Sequence, residues 1–192
     1  MSLTLLDWRR RVMALYDAVR AAGSAESGWQ LWRSGRAELF RDHPNSPLAE
    51  GAPLPTYRPY DPSMRFEIPV LAADPQRIEL TTGTDGVVPL ERIGRVDLPG
   101  LGSLDVWWLG SYGGGLFLPI WDRTCGRESY GGGRYVLDTV KGADLGGSGG
   151  RLVVDLNFTY NPSCAYDPAW ACPLPQAGNR LDVAVHAGEL AP

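Results

Sequence analysis

Apolar residues in the first part of the chain recur at intervals of three and four, the spacing of one face of an amphipathic helix. The positions concerned are Leu5, Trp8, Val12, Leu15, Tyr16 and Val19. This spacing predicts a helix over residues 5–21, which Gly23 ends. A second, shorter helix is predicted from Trp29 to Phe40, because Pro44 and Pro47 prevent it from continuing.

From Met64 onward the pattern changes to short runs of branched and aromatic residues between glycine-containing turns, which is typical of strands. The predicted strands cover residues 66–72, 77–82, 87–90, 92–98, 103–109, 116–120, 134–138, 151–157 and 181–187. Hairpin turns are predicted at Thr84-Asp85-Gly86 and at residues 99–102. Since no strand is followed by a long helical pattern, these short strands predict a mainly β fold, an antiparallel β-barrel or sandwich with an N-terminal helical arm.

The two patterns divide the chain into a helical arm over residues 1–45 and a β domain over residues 46–192, which together form one structural unit. The proline-rich residues 44–63 carry no period, and they are predicted to run extended over the surface of the domain. Trp107 and Trp108 are adjacent in a predicted strand, so their side chains point to opposite faces. One is expected to face the core and the other a second layer, such as the helical arm.

Composition narrows the classes of partner. The 192 residues are 44% apolar and 21% charged, and the net charge is −4. This balance gives no electrostatic reason to expect nucleic acid. No apolar run reaches the length of about 18 residues that a membrane span requires. The first residues lack the order of charged and apolar segments of a signal peptide, so a cytoplasmic location is expected.

The three cysteines, Cys125, Cys164 and Cys172, are an odd number in a chain with no export signal, which favours free thiols. The spacing of Cys164 and Cys172 leaves a disulfide between them open. Cys164 with His186 and Asp155 has the residue types of a nucleophilic triad, but nothing in the sequence fixes their proximity. Metal sites formed by the cysteines, or by Asp122, Asp155 and Glu189, lack paired ligands at short spacing. No metal and no organic cofactor are therefore predicted.

Side chains able to bind or react are most dense between residues 154 and 166 and continue through residues 172–175. Carboxylates beside arginine and tyrosine side chains are a common arrangement for acid–base chemistry. The candidate catalytic residues are Asp122, Arg134, Asp155, Tyr166 and Glu189. The candidate ligand-binding residues are Tyr135, Asn157, Tyr160, Asn161, Cys164 and Asn179. The alternative is structural, because Asp, Asn and Tyr side chains also fix irregular turns by bonding to the backbone.

Residues 119–189 resemble the domain-of-unknown-function 1684 family of bacterial and archaeal proteins. The Ser46-Pro47-Leu48 segment and the first helix, with its tryptophan and arginines, resemble the N-terminal part of that family, so the resemblance covers nearly the whole chain. The matching stretches are residues 117–124, 133–135, 154–157, 160–162, 164–166, 172–175, 179–181 and 187–189, with Gly126 and Tyr130. The resemblance implies an architecture and a cluster of candidate residues, but no activity. The chain departs from the family at Gln176 and Gly178, where a proline and a glutamate are usual. It also departs at Cys125, where a serine is more usual, and this argues against Cys125 as an essential nucleophile.

Three hypotheses about function follow from these observations. The first is a small-molecule-binding domain or a cofactor-independent enzyme of hydrolase, isomerase or cyclase type, which uses the Asp, Arg, Tyr and Asn side chains. The second is a non-catalytic interaction domain, either monomeric or a homodimer formed through the helical arm with Trp29 and Trp32 exposed in the monomer. The third is a redox or metal protein based on Cys164 and Cys172.

Overall fold

Two helices begin the chain, as the apolar spacing predicts. The computed structural model describes residues 3–82, 86–110, 113–170 and 172–192. Helix α1 spans Leu3–Arg20 and helix α2 spans Ala25–Asp42. Helix α2 begins four residues before the predicted start because Ser24 caps it, its Oγ accepting a hydrogen bond from Ser27 N at 3.1 Å.

Two glycines of α2 allow the helices to pack closely. A Cβ atom added at Gly28 would lie 3.1 Å from the carbonyl oxygen of Val19, and one at Gly35 would lie 2.6 Å from Cδ1 of Leu15. The two glycines are seven residues apart and therefore lie on the same face of the helix. A larger residue at Gly35 would therefore force the Leu15 side chain to move.

The strands form two open antiparallel sheets, and the described residues contain no closed barrel. The larger sheet has the order β2-β3-β4-β5-β6, and the smaller one has the order β1-β8-β7. The strands are β1 Arg65–Pro69, β2 Arg77–Thr82, β3 Gly86–Leu98, β4 Gly102–Leu109, β5 Gly115–Ile120, β6 Arg134–Asp138, β7 Gly147–Ser148 and β8 Arg151–Asp155. The prediction of a mainly antiparallel β fold with an N-terminal helical arm is confirmed. Of its two alternatives, the barrel is wrong.

Two strand predictions need correction. The runs predicted at 87–90 and 92–98 are one strand, β3, with a register shift between Arg92 and Gly94. Residues 181–187 are not a strand. Among the described residues, only the backbone of Trp121 and Arg123 pairs with the start of this segment, and side chains bind the backbone groups that follow. The guanidinium of Arg134 donates to the carbonyls of Val185 and Ala187. The turn predicted at Thr84-Asp85 lies outside the described residues.

The helical arm is packed against the β domain through its tryptophans. Trp32 is 2% exposed, and its ring centroid lies 5.2 Å from that of Phe158. Trp29 is 5% exposed, and its indole nitrogen donates to the backbone carbonyl of Asn157 at 3.0 Å. The expectation that these tryptophans are exposed in the monomer is therefore wrong, because burying them attaches the arm to its own chain.

Strand β4 presents its two tryptophans to opposite faces, as predicted. Trp107 is 1% exposed, and its indole nitrogen donates to Oδ1 of Asn179 at 2.7 Å. Trp108 is 40% exposed, so the expected second layer does not cover it. Trp107 belongs to a small apolar cluster with Leu90, Phe117 and Tyr135, separate from the main core that the helices share with both sheets.

Among the described residues, no helix combines the length and apolar character that crossing a membrane would need.

Candidate functional site

Two of the candidate catalytic residues form a fully buried ion pair. Arg134, at the start of β6, donates through Nη2 to Oδ2 of Asp122 at 2.8 Å. The two side chains are 1% and 0% exposed. The other guanidinium bonds of Arg134 go to the backbone carbonyls of Val185, Ala187 and Glu189. Arg134 thus attaches the C-terminal segment to the larger sheet.

Asp122 completes this attachment through its second carboxylate oxygen. Oδ1 accepts the backbone N–H of Thr124 at 2.9 Å and that of Val185 at 3.1 Å. Burial alone would raise the pKa of Asp122, but the Arg134 guanidinium and these hydrogen bonds outweigh burial and hold the pKa below its usual value. The pair holds the fold together, and its predicted catalytic role stays a prediction.

Three of the candidate ligand-binding residues also have their polar groups bound within the protein. Asn179 donates to the backbone carbonyls of Asp105 and Pro119, at 2.8 and 2.9 Å. Asn157 donates to Asp61 O at 2.8 Å and accepts from Asp61 N at 2.9 Å. The hydroxyl of Tyr135 donates to the carbonyl of Pro173. These contacts fix loops, which is the structural alternative for such residues.

A second group of predicted residues meets around Glu189, which is 0% exposed. The Glu189 carboxylate accepts hydrogen bonds from the Tyr166 hydroxyl and from Asn161 N, the latter at 3.1 Å. Arg36 of α2 donates to it through Nη2 at 3.0 Å. Burial raises the pKa of Glu189 above its usual value, although Arg36 and the N–H of Asn161 oppose the shift. The helical arm therefore supplies the cation of this cluster.

Aromatic rings surround the guanidinium of Arg36. Its central carbon lies 4.3 Å from the ring centroid of Phe40 and 5.0 Å from that of Tyr160, within the range of cation–π attraction. Burial by itself lowers the pKa of Arg36, but the nearby Glu189 carboxylate raises it, and the balance is a raised pKa. Arg36 thus remains charged in a largely apolar surrounding.

A cavity of about 80 Å³ lies between the two helices and this cluster. Its walls are mainly apolar and aromatic, with a few polar side chains. The lining residues are Trp8, Val12, Leu15, Tyr16, Trp32, Arg36, Leu39, Phe40, Lys141, Ala143, Tyr160, Asn161 and Ser163. The predicted residues Tyr160 and Asn161 therefore line the cavity, while Tyr166 and Glu189 contact Asn161.

Asn161 provides an unused acceptor at this cavity. Its Nδ2 donates to the backbone carbonyl of Leu190 at 2.7 Å, and this bond fixes which end of the amide carries the nitrogen. Oδ1 of the same side chain is buried and has no hydrogen-bond partner among the residues that the structure describes, and Asn161 is 1% exposed. A buried polar atom without a partner costs about 1–3 kcal/mol, so a ligand that donates to it would recover part of that free energy.

Asp155 lies apart, at a wider cavity of about 420 Å³ between the ends of the helices and the smaller sheet. Its Oδ1 accepts from Nδ2 of Asn157 at 2.8 Å, and the Tyr60 hydroxyl lies 3.4 Å from Oδ2. Burial raises the pKa of Asp155, against the effect of the Asn157 hydrogen bonds. In the described part of the chain, no residue with an unpartnered buried polar atom lines this cavity.

The three residues that could form a nucleophilic triad, Cys164, His186 and Asp155, each contact different partners. His186 is exposed and its Nδ1 lies 3.3 Å from Glu128, while Asp155 contacts Tyr60 and Asn157. Cys164 lies beside Cys172, whose Sγ accepts the Cys164 backbone N–H at 3.4 Å. All three cysteines are free thiols. Among the described residues, no three His, Cys, Asp or Glu side chains are placed to hold a metal ion.

Two charged residues, Arg36 and Lys141, line the cavity. The sequence pattern predicts neither of them as a site residue. Because arginines are spread along the whole chain, composition alone does not single out Arg36. A more specific signal is its position: Trp32, Arg36 and Phe40 are spaced by four and lie on one helical face. A charged residue within an apolar stripe is a candidate for a buried role.

The departure from the family at Gly178 has a structural counterpart. A Cβ atom added at Gly178 would lie 1.9 Å from Oδ2 of Asp105. Asp105 is 1% exposed and forms ion pairs with Arg92 at 3.1 Å and with Arg95 at 2.8 Å. In this chain the Asp105 carboxylate therefore occupies the space into which a side chain at position 178 would extend.

Comparisons with known proteins agree with the architecture and give no activity. A family model described as "Protein of unknown function (DUF1684)" matches residues 53–190. Among solved structures, the chain is similar to the uncharacterized protein from gene locus rrnAC0354 of Haloarcula marismortui, determined by solution NMR. The identity is 32% and the TM-score 0.60, with 86% of this chain and 93% of that chain covered. No curated protein matches the chain.

Proposed function

Because the chain belongs to the DUF1684 family, whose description gives no function, we propose from the geometry of the site that it binds a small hydroxy acid. The ligand would occupy the cavity between the helical arm and the segment around Asn161. The observation that carries the proposal is the Asn161 Oδ1 atom, which is buried at this cavity and receives no hydrogen bond from the described part of the chain. It supports a small-molecule-binding role and leaves the class of any reaction open.

The chemistry of the lining selects the head group of the ligand. Asn161 Oδ1 can only accept, so the ligand must present a donor such as a hydroxyl. Arg36 and Lys141 are cations at the same cavity, and they favour an anionic group such as a carboxylate. Since Glu189 already pairs with Arg36 and Asp138 lies 3.8 Å from Lys141, one negative charge rather than several is the better match.

The size and the walls select the rest of the molecule. A volume of about 80 Å³ corresponds to roughly three water molecules at about 30 Å³ each, so the cavity encloses only part of the ligand. Because the cavity is open to the surface, the rest of a small ligand can extend through its mouth. The apolar walls favour a short hydrocarbon part. A short-chain hydroxy acid such as α-hydroxybutyrate fits this description, and we take it as the probe.

A titration followed by NMR tests the proposal. The signals to follow are the indole N–H groups of Trp8 and Trp32 and the side-chain amide of Asn161, which line the cavity. α-Hydroxybutyrate should shift them saturably. Butyrate, which lacks the hydroxyl, and α-hydroxybutyramide, which lacks the charge, should bind at least several-fold more weakly.

A matched pair of variants tests whether the ligand binds in this cavity. Val12→Phe fills the cavity from α1 and should abolish the saturable shifts, whereas Ala18→Phe adds the same ring on the exposed side of α1 and should leave them unchanged. Equal affinity for α-hydroxybutyrate and butyrate would overturn the assigned role of Asn161. Shifts that do not saturate, or that persist in Val12→Phe, would overturn the site.

A further inference from the structure

Cys164 and Cys172 form a pair of thiols within one segment. The Sγ atom of Cys172 accepts the backbone N–H of Cys164 at 3.4 Å, and the two thiols are within hydrogen-bonding reach of each other. Both side chains are half-buried, so small reagents can approach them. Neither residue lines the cavity assigned to the hydroxy acid, so the pair is independent of that proposal.

The surroundings distinguish the two sulfur atoms. Cys172 receives the backbone N–H described above, whereas Cys164 has the Tyr130 hydroxyl at 3.9 Å from its Sγ. The hydrogen bond from the Cys164 thiol lowers the pKa of Cys172 to about 6, against the effect of burial. The same hydrogen bond raises the pKa of Cys164. At neutral pH, Cys172 is therefore the thiolate and Cys164 the thiol, which is the asymmetry of an attacking and a resolving cysteine.

Cys125 provides an internal comparison. Its Sγ accepts the backbone N–H of Asp122 at 3.4 Å and lies 3.7 Å from the Ser129 hydroxyl. No second cysteine contacts it among the described residues. It can therefore react as a single thiol but cannot close an intramolecular disulfide.

We propose that Cys172 and Cys164 form a thiol–disulfide exchange site that accepts small-molecule disulfides. The Cys172 thiolate attacks one sulfur of the small disulfide, so that a mixed disulfide forms and one small thiolate leaves. Cys164 then loses its proton and attacks the Cys172 sulfur; the protein disulfide forms and the second small thiolate leaves. The two cysteines are oxidised by two electrons and the small disulfide is reduced to one thiol, which receives the Cys164 proton, and one thiolate, which takes a proton from water.

Digestion with trypsin separates the cysteine pair from Cys125, so that the oxidation of each can be measured by mass spectrometry. Cleavage after Arg151 and Arg180 leaves Cys164 and Cys172 in one peptide of residues 152–180, while cleavage after Arg123 and Arg127 leaves Cys125 in the peptide of residues 124–127. The native protein is treated with hydroxyethyl disulfide, a small neutral reagent. Remaining thiols are then alkylated before digestion and mass spectrometry. The expected product is a 152–180 peptide that has lost two hydrogen atoms and carries no alkyl group, with Cys125 fully alkylated.

Variants separate the two steps. Cys164→Ser should stop at a stable mixed disulfide on Cys172, with one small thiol released per protein instead of two. Alkylation of Cys172 in the wild-type protein should reach half its maximal rate near pH 6, against about pH 8.5 for an ordinary thiol. A mixed disulfide that persists on wild-type Cys172 would overturn the proposal. So would thiols that react only after denaturation, or a Cys125 that is oxidised as fast as the pair.

Discussion

Arg134 Nη2 lies 2.8 Å from Oδ2 of Asp122, and the two side chains are almost completely excluded from solvent. Replacing Arg134 by Met keeps much of the apolar volume but leaves a buried carboxylate without its cation. Removing one partner of such a pair typically costs about 3–5 kcal/mol. We therefore expect the free energy of unfolding of Arg134→Met to fall by about that amount, measured by chemical denaturation at neutral pH.

Arg123 provides the matched control for this variant. It forms an ion pair with Asp182 at 3.1 Å, but the two side chains are 60% and 94% exposed. Exposed ion pairs contribute about 0–1 kcal/mol, so Arg123→Met should be nearly neutral. If the two variants lose similar stability, burial does not determine the contribution of the Arg134–Asp122 pair.

The pH dependence of Asp122→Asn follows from the lowered pKa of Asp122. A carboxyl group whose pKa is lower in the folded than in the unfolded protein stabilises the fold above its unfolded value, which is near 3.8. The stability advantage of the wild-type protein over Asp122→Asn should thus be complete above that pH. It should be lost as the pH falls further, through the folded-state pKa. Denaturation midpoints of both proteins, measured between about pH 2.5 and 7, test this prediction. A difference between the two midpoints that does not change with pH would contradict it.

The sequence predicts elements well where local periodicity determines them. The helix through Trp8, Leu15 and Val19 has one apolar face, and α1 forms there. Strand β6 begins and ends at the predicted residues, Arg134 and Asp138. Residues 181–187 have similar alternation but form no strand. Their backbone groups bond partly to the backbone of residues 121 and 123 and partly to the side chains of Arg134 and Asp122, and such distant partners leave no periodic signal in the segment itself.

The candidate site was predictable only in part for the same reason. The polar-rich stretch between residues 154 and 166 contains Tyr160 and Asn161, which line one side of the cavity. The opposite side comes from α1 and α2, including Arg36, and which helix faces cover this segment depends on tertiary packing. The sequence also groups Asp122, Asp155 and Glu189 by residue type, whereas the fold places them in three separate hydrogen-bonding environments.

Glu189→Gln should show a pH dependence of the opposite sign to that of Asp122→Asn. Burial raises the pKa of Glu189 above its unfolded value, near 4.5. A raised pKa contributes stability that is fully present below the unfolded value and is lost as the pH rises through the folded value. The stability of the wild-type protein relative to Glu189→Gln should therefore decrease as the pH rises from about 4.5. Denaturation at pH 4 and 7 decides this, and a relative gain of the wild-type protein at pH 7 would contradict it.

Gly188 is required by both conformation and space. Its φ is +77°, and an added Cβ atom would lie 1.7 Å from Oγ1 of Thr159 and 2.8 Å from its carbonyl oxygen. Gly188→Ala should therefore destabilise the protein by roughly 3 kcal/mol or more, because strain and a backbone clash add. Gly149 has a φ of +56°, and apart from its chain neighbours no atom of the described residues lies within 4 Å of the added Cβ. Gly149→Ala should cost only about 1 kcal/mol, so equal melting temperatures of the two variants would contradict the steric argument.

Lys141 tests the charge preference of the cavity from a half-exposed position. Its side chain is 47% exposed, whereas that of its partner Asp138, 3.8 Å away, is 3% exposed, so the free energy of unfolding of Lys141→Gln is measured beside its binding. Loss of one cation near the ligand should weaken binding of α-hydroxybutyrate about fivefold, which corresponds to about 1 kcal/mol. Binding of the neutral α-hydroxybutyramide should not change, since it carries no charge for Lys141 to attract. Parallel NMR titrations of both compounds measure this selectivity, and an equal loss for both would show that Lys141 acts through the shape of the cavity and not through its charge.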